Sequence, residues 1–187
     1  MTASEPLAAV RIGDWKTGKW GYINKMGQIV ISPQFDSALN FSEGLAEVRV
    51  GDWETGKWGY INKEGRFVIN PQFDGAESFS EGLAAVEIGG KYGYINKEGQ
   101  IVINPQFDGA KSFSEGLAVV REGDWETGKY GFINKEGMYV INPQFDNATF
   151  FSEGLAVVGI GDKCGFINKE GMYVINPQFD GAGSFSK

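Results

Sequence analysis

The sequence predicts an all-β protein made of five repeats, and three observations support this prediction. Leucines that mark the same point of a motif recur every 38 residues, with one step of 34, at Leu7, Leu45, Leu83, Leu117 and Leu155. Between these leucines, short runs of alternating apolar and polar residues return, a pattern typical of half-buried strands. No window places apolar residues at the spacing of an amphipathic helix over three turns. A fixed period of this length indicates a repeat architecture in which neighbouring units share a core.

The second copy of the motif shows how each unit is expected to fold. Residues 57–62 alternate and are rich in β-forming side chains, so they predict a strand. A short Gly-containing loop then predicts a hairpin turn into a following strand at residues 67–70. Pro71 is expected to end that strand or to place it at a sheet edge, because proline has no N–H. A short fourth strand is expected around residues 72–74, before the strand at 83–86 that opens the next copy.

In every copy, the first of these strands contains a glycine at the same position. The five are Gly21, Gly59, Gly93, Gly131 and Gly165. Glycine inside a strand weakens a sheet unless something packs closely over it. We expect an aromatic ring of the adjacent unit to cover each of these glycines.

We expect a single repeat domain over residues 1–187. Its units span about 7–44, 45–82, 83–116, 117–154 and 155–187, and residues 4–6 complete the last one. This register favours a toroid, a small five-bladed β-propeller closed by its N- and C-terminal half-repeats. The alternative is an open β-hairpin solenoid, which usually needs polar capping repeats. The chain would be a monomer if the ring closes within one chain, and a dimer or higher ring if the half-repeats pair between chains.

Composition and charge argue against a disordered chain, against a membrane helix and against several classes of partner. The chain is 42% apolar, too much for a disordered protein, yet its apolar runs are far shorter than a membrane helix requires. A net charge of −7 argues against nucleic acid and against anionic membrane surfaces. The first ten residues contain no recognisable signal peptide, and the single cysteine mildly favours a reducing compartment. We therefore expect a cytoplasmic protein.

The residues that usually carry catalysis are scarce. The chain has no histidine, which removes His-based triads and His-ligated metals. Cys164 occupies an aromatic position of the repeat, so an inert, buried or half-buried thiol is the expected reading. We predict no enzyme activity, no catalytic residue, no metal and no cofactor.

Two rows of carboxylates form the basis of the competing enzyme or cation-site hypothesis. They are Glu5, Glu43, Glu81, Glu115 and Glu153, and Asp36, Asp74, Asp108, Asp146 and Asp180. Glycoside hydrolysis needs two carboxylates in different environments, which identical units do not supply. We therefore expect these side chains to hydrogen-bond their own turns.

The best local candidate for a binding site is a loop insertion that only three units carry. The inserted segment reads G-D-W-x-T-G-K and gives the candidate ligand-binding residues Asp14, Trp15, Thr17, Asp52, Trp53, Thr55, Asp124, Trp125 and Thr127. The other two units have short loops, so the insertion is not needed to build a unit. A hairpin-tip Trp could stack on a sugar ring or anchor a protein partner. The structural alternative is that each Trp folds back over its neighbour.

The pairs Trp20–Gly21 and Trp58–Gly59 lie inside G-K-W-G-Y-I-N-K, and the same copies contain P-Q-F-D and F-S-E-G-L-A. Together these motifs resemble the bacterial WG repeat over nearly the whole chain. Three copies depart at the name-giving position, which is occupied by Tyr92, Tyr130 and Cys164. The resemblance implies an all-β, propeller-like array without enzymatic activity, in a family whose functions are mostly unassigned.

We therefore expect a non-enzymatic binding or scaffolding module that takes a protein or peptide through its loops. A multivalent, lectin-like carbohydrate binder that uses the tip tryptophans is the main alternative. A further alternative is a symmetrised or truncated repeat array without a ligand of its own. It is motivated by residues 131–146, which return letter for letter at 165–180.

Overall fold

A computed structural model describes residues 5–186, and these residues form only strands, turns and loops. The strands make five antiparallel sheets, one for each repeat, which confirms the all-β, five-repeat prediction. The first sheet has three strands and the other four have four each. Among the described residues there is no helix of the length and apolarity needed to cross a membrane. The predicted completion of the last unit by residues 4–6 lies partly outside the described range, and closure into a ring stays a prediction.

The strands follow one another in the same order in every repeat. The first repeat contains β1 (Ala8–Ile12), β2 (Lys19–Ile23), β3 (Ile29–Phe35) and β4 (Ser37–Ala38). The second contains β5 (Ala46–Val50), β6 (Lys57–Ile61), β7 (Phe67–Phe73) and β8 (Gly75–Ala76). The third contains β9 (Ala84–Ile88), β10 (Lys91–Ile95), β11 (Ile101–Phe107) and β12 (Gly109–Ala110). The fourth contains β13 (Ala118–Glu122), β14 (Lys129–Ile133), β15 (Tyr139–Phe145) and β16 (Asn147–Ala148). The fifth contains β17 (Ala156–Ile160), β18 (Lys163–Ile167) and β19 (Tyr173–Phe179).

The two-residue strand at the end of a repeat belongs to the sheet of the next repeat. Strand β4 pairs with β5, β8 with β9, β12 with β13 and β16 with β17. The second sheet therefore has the order β4-β5-β6-β7. Consecutive repeats are joined by backbone hydrogen bonds as well as by side-chain packing.

Of the two places expected for Pro71, the structure has the sheet edge and not the strand end, because β7 is the last strand of its sheet. Strand β7 continues through Pro71 to Phe73, and the short fourth strand lies at Gly75–Ala76 rather than around residues 72–74. The register changes between Trp58 and Tyr60, so that the single residue Gly59 faces a bulge in β7. A bulged residue is left out of the ladder, which is why proline is tolerated inside the strand.

The recurrent strand glycine is covered by backbone and not by a ring from the adjacent unit, so that expectation was also wrong. A Cβ placed on Gly59 would lie 2.6 Å from the carbonyl oxygen of Ile69 and 2.6 Å from the nitrogen of Pro71. Any larger residue would push the bulged strand away. The glycine is therefore required by the close approach of its own neighbour in the sheet.

The chain divides into two compact units. The first runs to Gly89 and includes Ile95–Gln100, and the second comprises Gly90–Tyr94 and continues from Ile101. In the first unit, the second repeat's Ala46, Val48 and Ile61 cluster with Tyr22, Ile31 and Phe35 of the first repeat. A second cluster in that unit repeats the arrangement with Ala84, Val86, Ile95, Tyr60, Ile69 and Phe73.

The second unit has a cluster of the same kind between the fourth and fifth repeats. It includes Ala156, Val158 and Ile167 of the fifth repeat, with Phe132, Ile141 and Phe145 of the fourth. In each of these clusters the apolar core lies between two repeats and not inside one. No repeat can bury its apolar side chains alone, as expected for units of this size.

Candidate functional site

The candidate site consists of the three inserted loops, called here the tip loops: residues 13–18, 51–56 and 123–128. In the second repeat, the Asp52 carboxylate oxygen Oδ1 accepts hydrogen bonds from the backbone N–H groups of Glu54 and Thr55, at 2.9 and 2.7 Å. The Thr55 hydroxyl donates to the same oxygen at 2.8 Å, and the Gly56 N–H donates to the Asp52 carbonyl at 3.0 Å. The other two tip loops carry the same Asp–Thr network around Asp14 and Asp124.

This network commits the polar residues of the predicted site to the loop itself. The N–H of Thr55 and its hydroxyl hold the pKa of the Asp52 carboxyl below its usual value, and the N–H of Glu54 adds to the effect. The pKa values of Asp14 and Asp124 are lowered by the corresponding Thr17 and Thr127. The Asp and Thr side chains therefore shape the loop, and the tryptophans remain as the groups that face outward.

The tip tryptophans are among the most exposed apolar side chains of the described chain. Trp15 is 75% exposed, Trp53 84% and Trp125 82%. None of them is folded away over a neighbouring unit, as the structural alternative required. A flat, exposed indole at a hairpin tip is available for contact with another molecule.

Two of these rings, those of Trp53 and Trp125, are each contacted by an arginine of their own repeat. The Arg49 guanidinium carbon lies 4.9 Å from the centroid of Trp53 and 5.8 Å from that of Trp58. Arg121 lies 5.2 Å from the centroid of Trp125. Cation–π contacts of this kind favour one orientation of the indole. In the first repeat Arg11 lies over Trp20, while Lys16 lies over Trp15.

The supporting arginines were not predicted as site residues, although the sequence contained a signal for them. Arg11, Arg49 and Arg121 occupy one position of the repeat, and the two short-loop repeats have Glu87 and Gly159 there. Arginine therefore appears only where the tip loop appears. Comparing this position with loop length across the five copies would have identified it.

Two of the tip loops open into one cleft within the first compact unit. The cleft has a volume of about 620 Å³. Its walls include Trp15 and Trp53, the ring of Trp20, and the cationic side chains of Arg11 and Arg49. Trp125 belongs to the second unit, where its own loop and Arg121 form the corresponding surface.

The expectation that the aspartates hydrogen-bond their own turns was wrong, because their carboxylates bond to neighbouring hairpins instead. Asp108 accepts a hydrogen bond from Lys91 Nζ at 2.5 Å through one oxygen and from the Gly123 N–H at 2.9 Å through the other. All five aspartates form such an ion pair, with Lys19, Lys57, Lys91, Lys129 and Lys163. These carboxylates are occupied by contacts of the scaffold.

Four members of the glutamate row lie in two-residue turns, namely Glu43, Glu81, Glu115 and Glu153. Glu43 and Glu115 also reach across to neighbouring repeats. Glu43 has φ of +50° and is followed by Gly44 at +89°, the backbone of a type I′ hairpin turn. Its carboxylate accepts from the Gly82 N–H at 3.0 Å and pairs with Lys97 at 3.2 Å. Glu115 makes the corresponding contacts with Gly154 and Lys169. Within residues 5–186, no group of three or more potential metal ligands is present.

Family comparison supplies the chain's classification. The model of the "WG containing repeat" matches residues 20–52, 58–92, 92–124, 130–164 and 165–187. No curated protein matches the chain. Among solved structures, a putative gluconolactonase is similar at 12% identity and a TM-score of 0.43, over 93% of this chain and 79% of that one.

The tricorn protease is similar at 11% identity and a TM-score of 0.32, over 86% of this chain and 23% of that one. Likenesses this weak support no argument about activity. The repeat matches, by contrast, cover most of the sequence, and their number equals that of the sheets. The chain belongs to the family of WG-repeat proteins.

Proposed function

We propose that the chain is a non-enzymatic binding module that takes a protein or peptide partner on its tip loops. The observation that carries the proposal is the exposure of Trp15, Trp53 and Trp125 on loops that the fold does not need. Repeats with short loops close the same hairpin, since Ile160 pairs with Lys163 as Val50 pairs with Lys57. The tip loops therefore serve something other than the stability of the sheet.

The loops are built to bind at a low conformational cost. The Asp52–Thr55 network fixes the loop backbone before any partner arrives, and Arg49 holds the indole of Trp53. Preorganisation of this kind increases affinity because less freedom is lost on binding. Tryptophan and arginine are also the residues that most often dominate the energetics of protein interfaces.

Carbohydrate remains the second candidate, because two flat indoles open into one cleft of about 620 Å³. A sugar site also needs polar groups that can bind hydroxyls. The Asp14 carboxylate already accepts three hydrogen bonds within its loop, from Lys16 and Thr17. This prior commitment favours the protein or peptide partner. The proposal holds for a closed ring and for an open stack, since each tip loop is built inside its own repeat.

The test is a display selection from a peptide library, run in parallel with a glycan array. The wild type is compared with the triple variant Trp15→Ala, Trp53→Ala, Trp125→Ala, after circular dichroism has verified that the variant is folded. We expect peptide ligands whose binding falls at least ~10-fold in the triple variant, as loss of buried tryptophan anchors predicts.

The matched control is the triple variant Met26→Ala, Met138→Ala, Met172→Ala. These methionines are also exposed, at 60–74%, but lie in the other hairpins. Peptides that bind both triple variants equally would overturn the proposal. Selective glycan binding that is lost only with the tryptophans would establish the carbohydrate alternative instead.

A further inference from the structure

We propose that the last repeat of one chain binds the first repeat of a second copy, through two surfaces that the internal repeats already use. The open face is formed by Ile175 and Phe179 in the fifth repeat. The covering face is formed by Ala8, Val10 and Ile23 in the first repeat. This inference does not depend on the tip loops.

The internal interfaces define what such a contact looks like. Between the first two repeats, Tyr22, Ile31 and Phe35 are covered by Ala46, Val48 and Ile61 of the following repeat. All six side chains are at most 4% exposed. The fourth and fifth repeats make the same contact with the corresponding residues. In both pairs the later repeat covers the earlier one.

The open face lacks this cover. Phe179 is 43% exposed, whereas its counterparts Phe35, Phe73, Phe107 and Phe145 are 1–3% exposed. Ile175 is half-buried, whereas Ile31, Ile69, Ile103 and Ile141 are 3–4% exposed. The segment 165–180 has the same sequence as 131–146, so the difference comes from the neighbour and not from the residues.

The covering face is likewise more exposed than its counterparts in the internal repeats. Ala8 is exposed and Val10 and Ile23 are half-buried, whereas Ala46, Val48 and Ile61 are fully buried in the second repeat. An apolar hollow of about 200 Å³ lies beside Ala8 and Ile23. The first repeat therefore presents a surface whose copies elsewhere in the chain are always in contact with another repeat.

The surroundings of a turn glycine show the same missing contact in the first repeat. A Cβ placed on Gly65 would meet the side chain of Ile31 at 3.1 Å, and Gly171 approaches Ile141 in the same way at 3.2 Å. The equivalent Gly27 of the first repeat has no atom within 4 Å among the described residues. In the proposed contact, Gly27 of a second copy would lie over Ile175.

A second copy can supply the missing cover, because the two faces are complementary to each other and not to themselves. Such an interface is heterologous, and it produces closed rings or open chains depending on the rotation between copies. Burial of Phe179 and Ile175 would supply the hydrophobic free energy that the internal contacts already gain. The competing occupant is the covering face of the same chain, and the experiment separates the two.

Sedimentation velocity over a range of protein concentrations measures the association. We expect the wild type to form dimers or larger species as its concentration rises. Phe179→Asp and Val10→Asp should each weaken this association at least ~10-fold, because each places a charge in an apolar contact. A mixture of the two variants should still form a heterodimer, since each retains the face that the other has lost.

The matched control is Val174→Asp on the same strand as Phe179. Val174 is 57% exposed, and its counterparts Val68, Val102 and Val140 are exposed to a similar degree, so this side of the strand faces solvent in internal repeats as well. The control should associate like the wild type. A wild type that stays monomeric at every concentration overturns the proposal. Variants that all associate equally, or a mixture that forms no heterodimer, overturn it as well.

Discussion

A buried carboxyl group distinguishes the second repeat from the other four. Glu47 is 1% exposed and occupies the position held elsewhere by Ala9, Ala85, Val119 and Val157. The Ser78 hydroxyl donates to its carboxyl oxygen at 2.6 Å. Burial raises the pKa of Glu47, and the nearby Glu77 raises it further, although the hydrogen bond from Ser78 opposes the shift.

We expect Glu47→Val to stabilise the protein by about 1 kcal/mol at neutral pH, because the variant no longer has to ionise a buried group. A raised pKa in the folded state means that the wild type is most stable below the ordinary carboxyl pKa of about 4.3. It loses that stability as pH rises through the folded pKa. The advantage of the variant should therefore grow from acid to neutral pH in urea unfolding.

The control for this substitution is Glu98→Val, which replaces an exposed glutamate of a hairpin turn. Its effect on the free energy of unfolding should be small. A destabilised Glu47→Val variant would show instead that the hydrogen bond with Ser78 is worth more than burial costs.

At the scale of elements, the unit that folds locally is the bulged hairpin. Alternation predicted β6 and the Gly-containing turn, but the bulge in β7 could not be read from it. Pro71 was compatible with a strand end or a sheet edge, and the structure places it inside an edge strand, at the bulge opposite Gly59. The partner of a strand is a tertiary fact, and periodicity within one segment does not contain it.

The site shows the same division between local and long-range information. Tip tryptophans could be located from loop length alone, and their exposure follows from their place at a hairpin tip. The roles of Asp52 and Thr55 in holding the loop, and of Arg49 in supporting Trp53, depend on distances that the sequence does not state. Glu47 was missed because one carboxylate in an exposed-looking strand is unremarkable without its burial.

The ion pairs of the aspartate row lead to a second prediction. Lys91, and then the Gly123 N–H, hold the pKa of the Asp108 carboxyl below its usual value. We expect Asp108→Asn to cost about 1 kcal/mol of unfolding free energy at neutral pH. The ion pair with Lys91 is lost, and the hydrogen bond from the Gly123 N–H is weakened. A lowered folded pKa gives stability that is complete above about pH 4 and is lost as pH falls through that folded pKa.

Wild type and Asp108→Asn should therefore become equally stable in acid, as measured by chemical unfolding at several pH values. Asp180→Asn is the matched control. Asp180 pairs with Lys163 but its side chain is 89% exposed, compared with 32% for Asp108. A loss for Asp180→Asn as large as that for Asp108→Asn would contradict the role given to the contacts of Asp108.

At the scale of the whole molecule, stability is expected to depend on the contacts between repeats. Phe145 and Phe179 occupy the same position in two identical segments, but Phe145 is buried against the fifth repeat and Phe179 is 43% exposed. We expect Phe145→Ala to cost about 3–4 kcal/mol and Phe179→Ala about 1 kcal/mol, because a cavity forms only at the buried site. Urea unfolding at dilute protein concentration measures both.

Equal losses for the two variants would mean that Phe179 is covered in dilute solution, either by the same chain or by tight association. The comparison is sharp because the sequence around the two residues is the same over sixteen positions. The difference between the two losses measures how much the contact with a following repeat adds to the burial of this one phenylalanine.

The two ends of the tip loop lie close together, and this has a consequence for which sequence changes the protein can accept. In the second repeat, a Cβ on Gly51 would lie 2.7 Å from the Cα of Gly56, so the loop closes on itself where the strands end. Long and short loops leave from the same last strand pair, Val50 with Lys57 or Ile160 with Lys163. Segments between these points can be exchanged without shifting the strands, so the sheet offers an insertion point where evolution or an engineer can install new loops one repeat at a time.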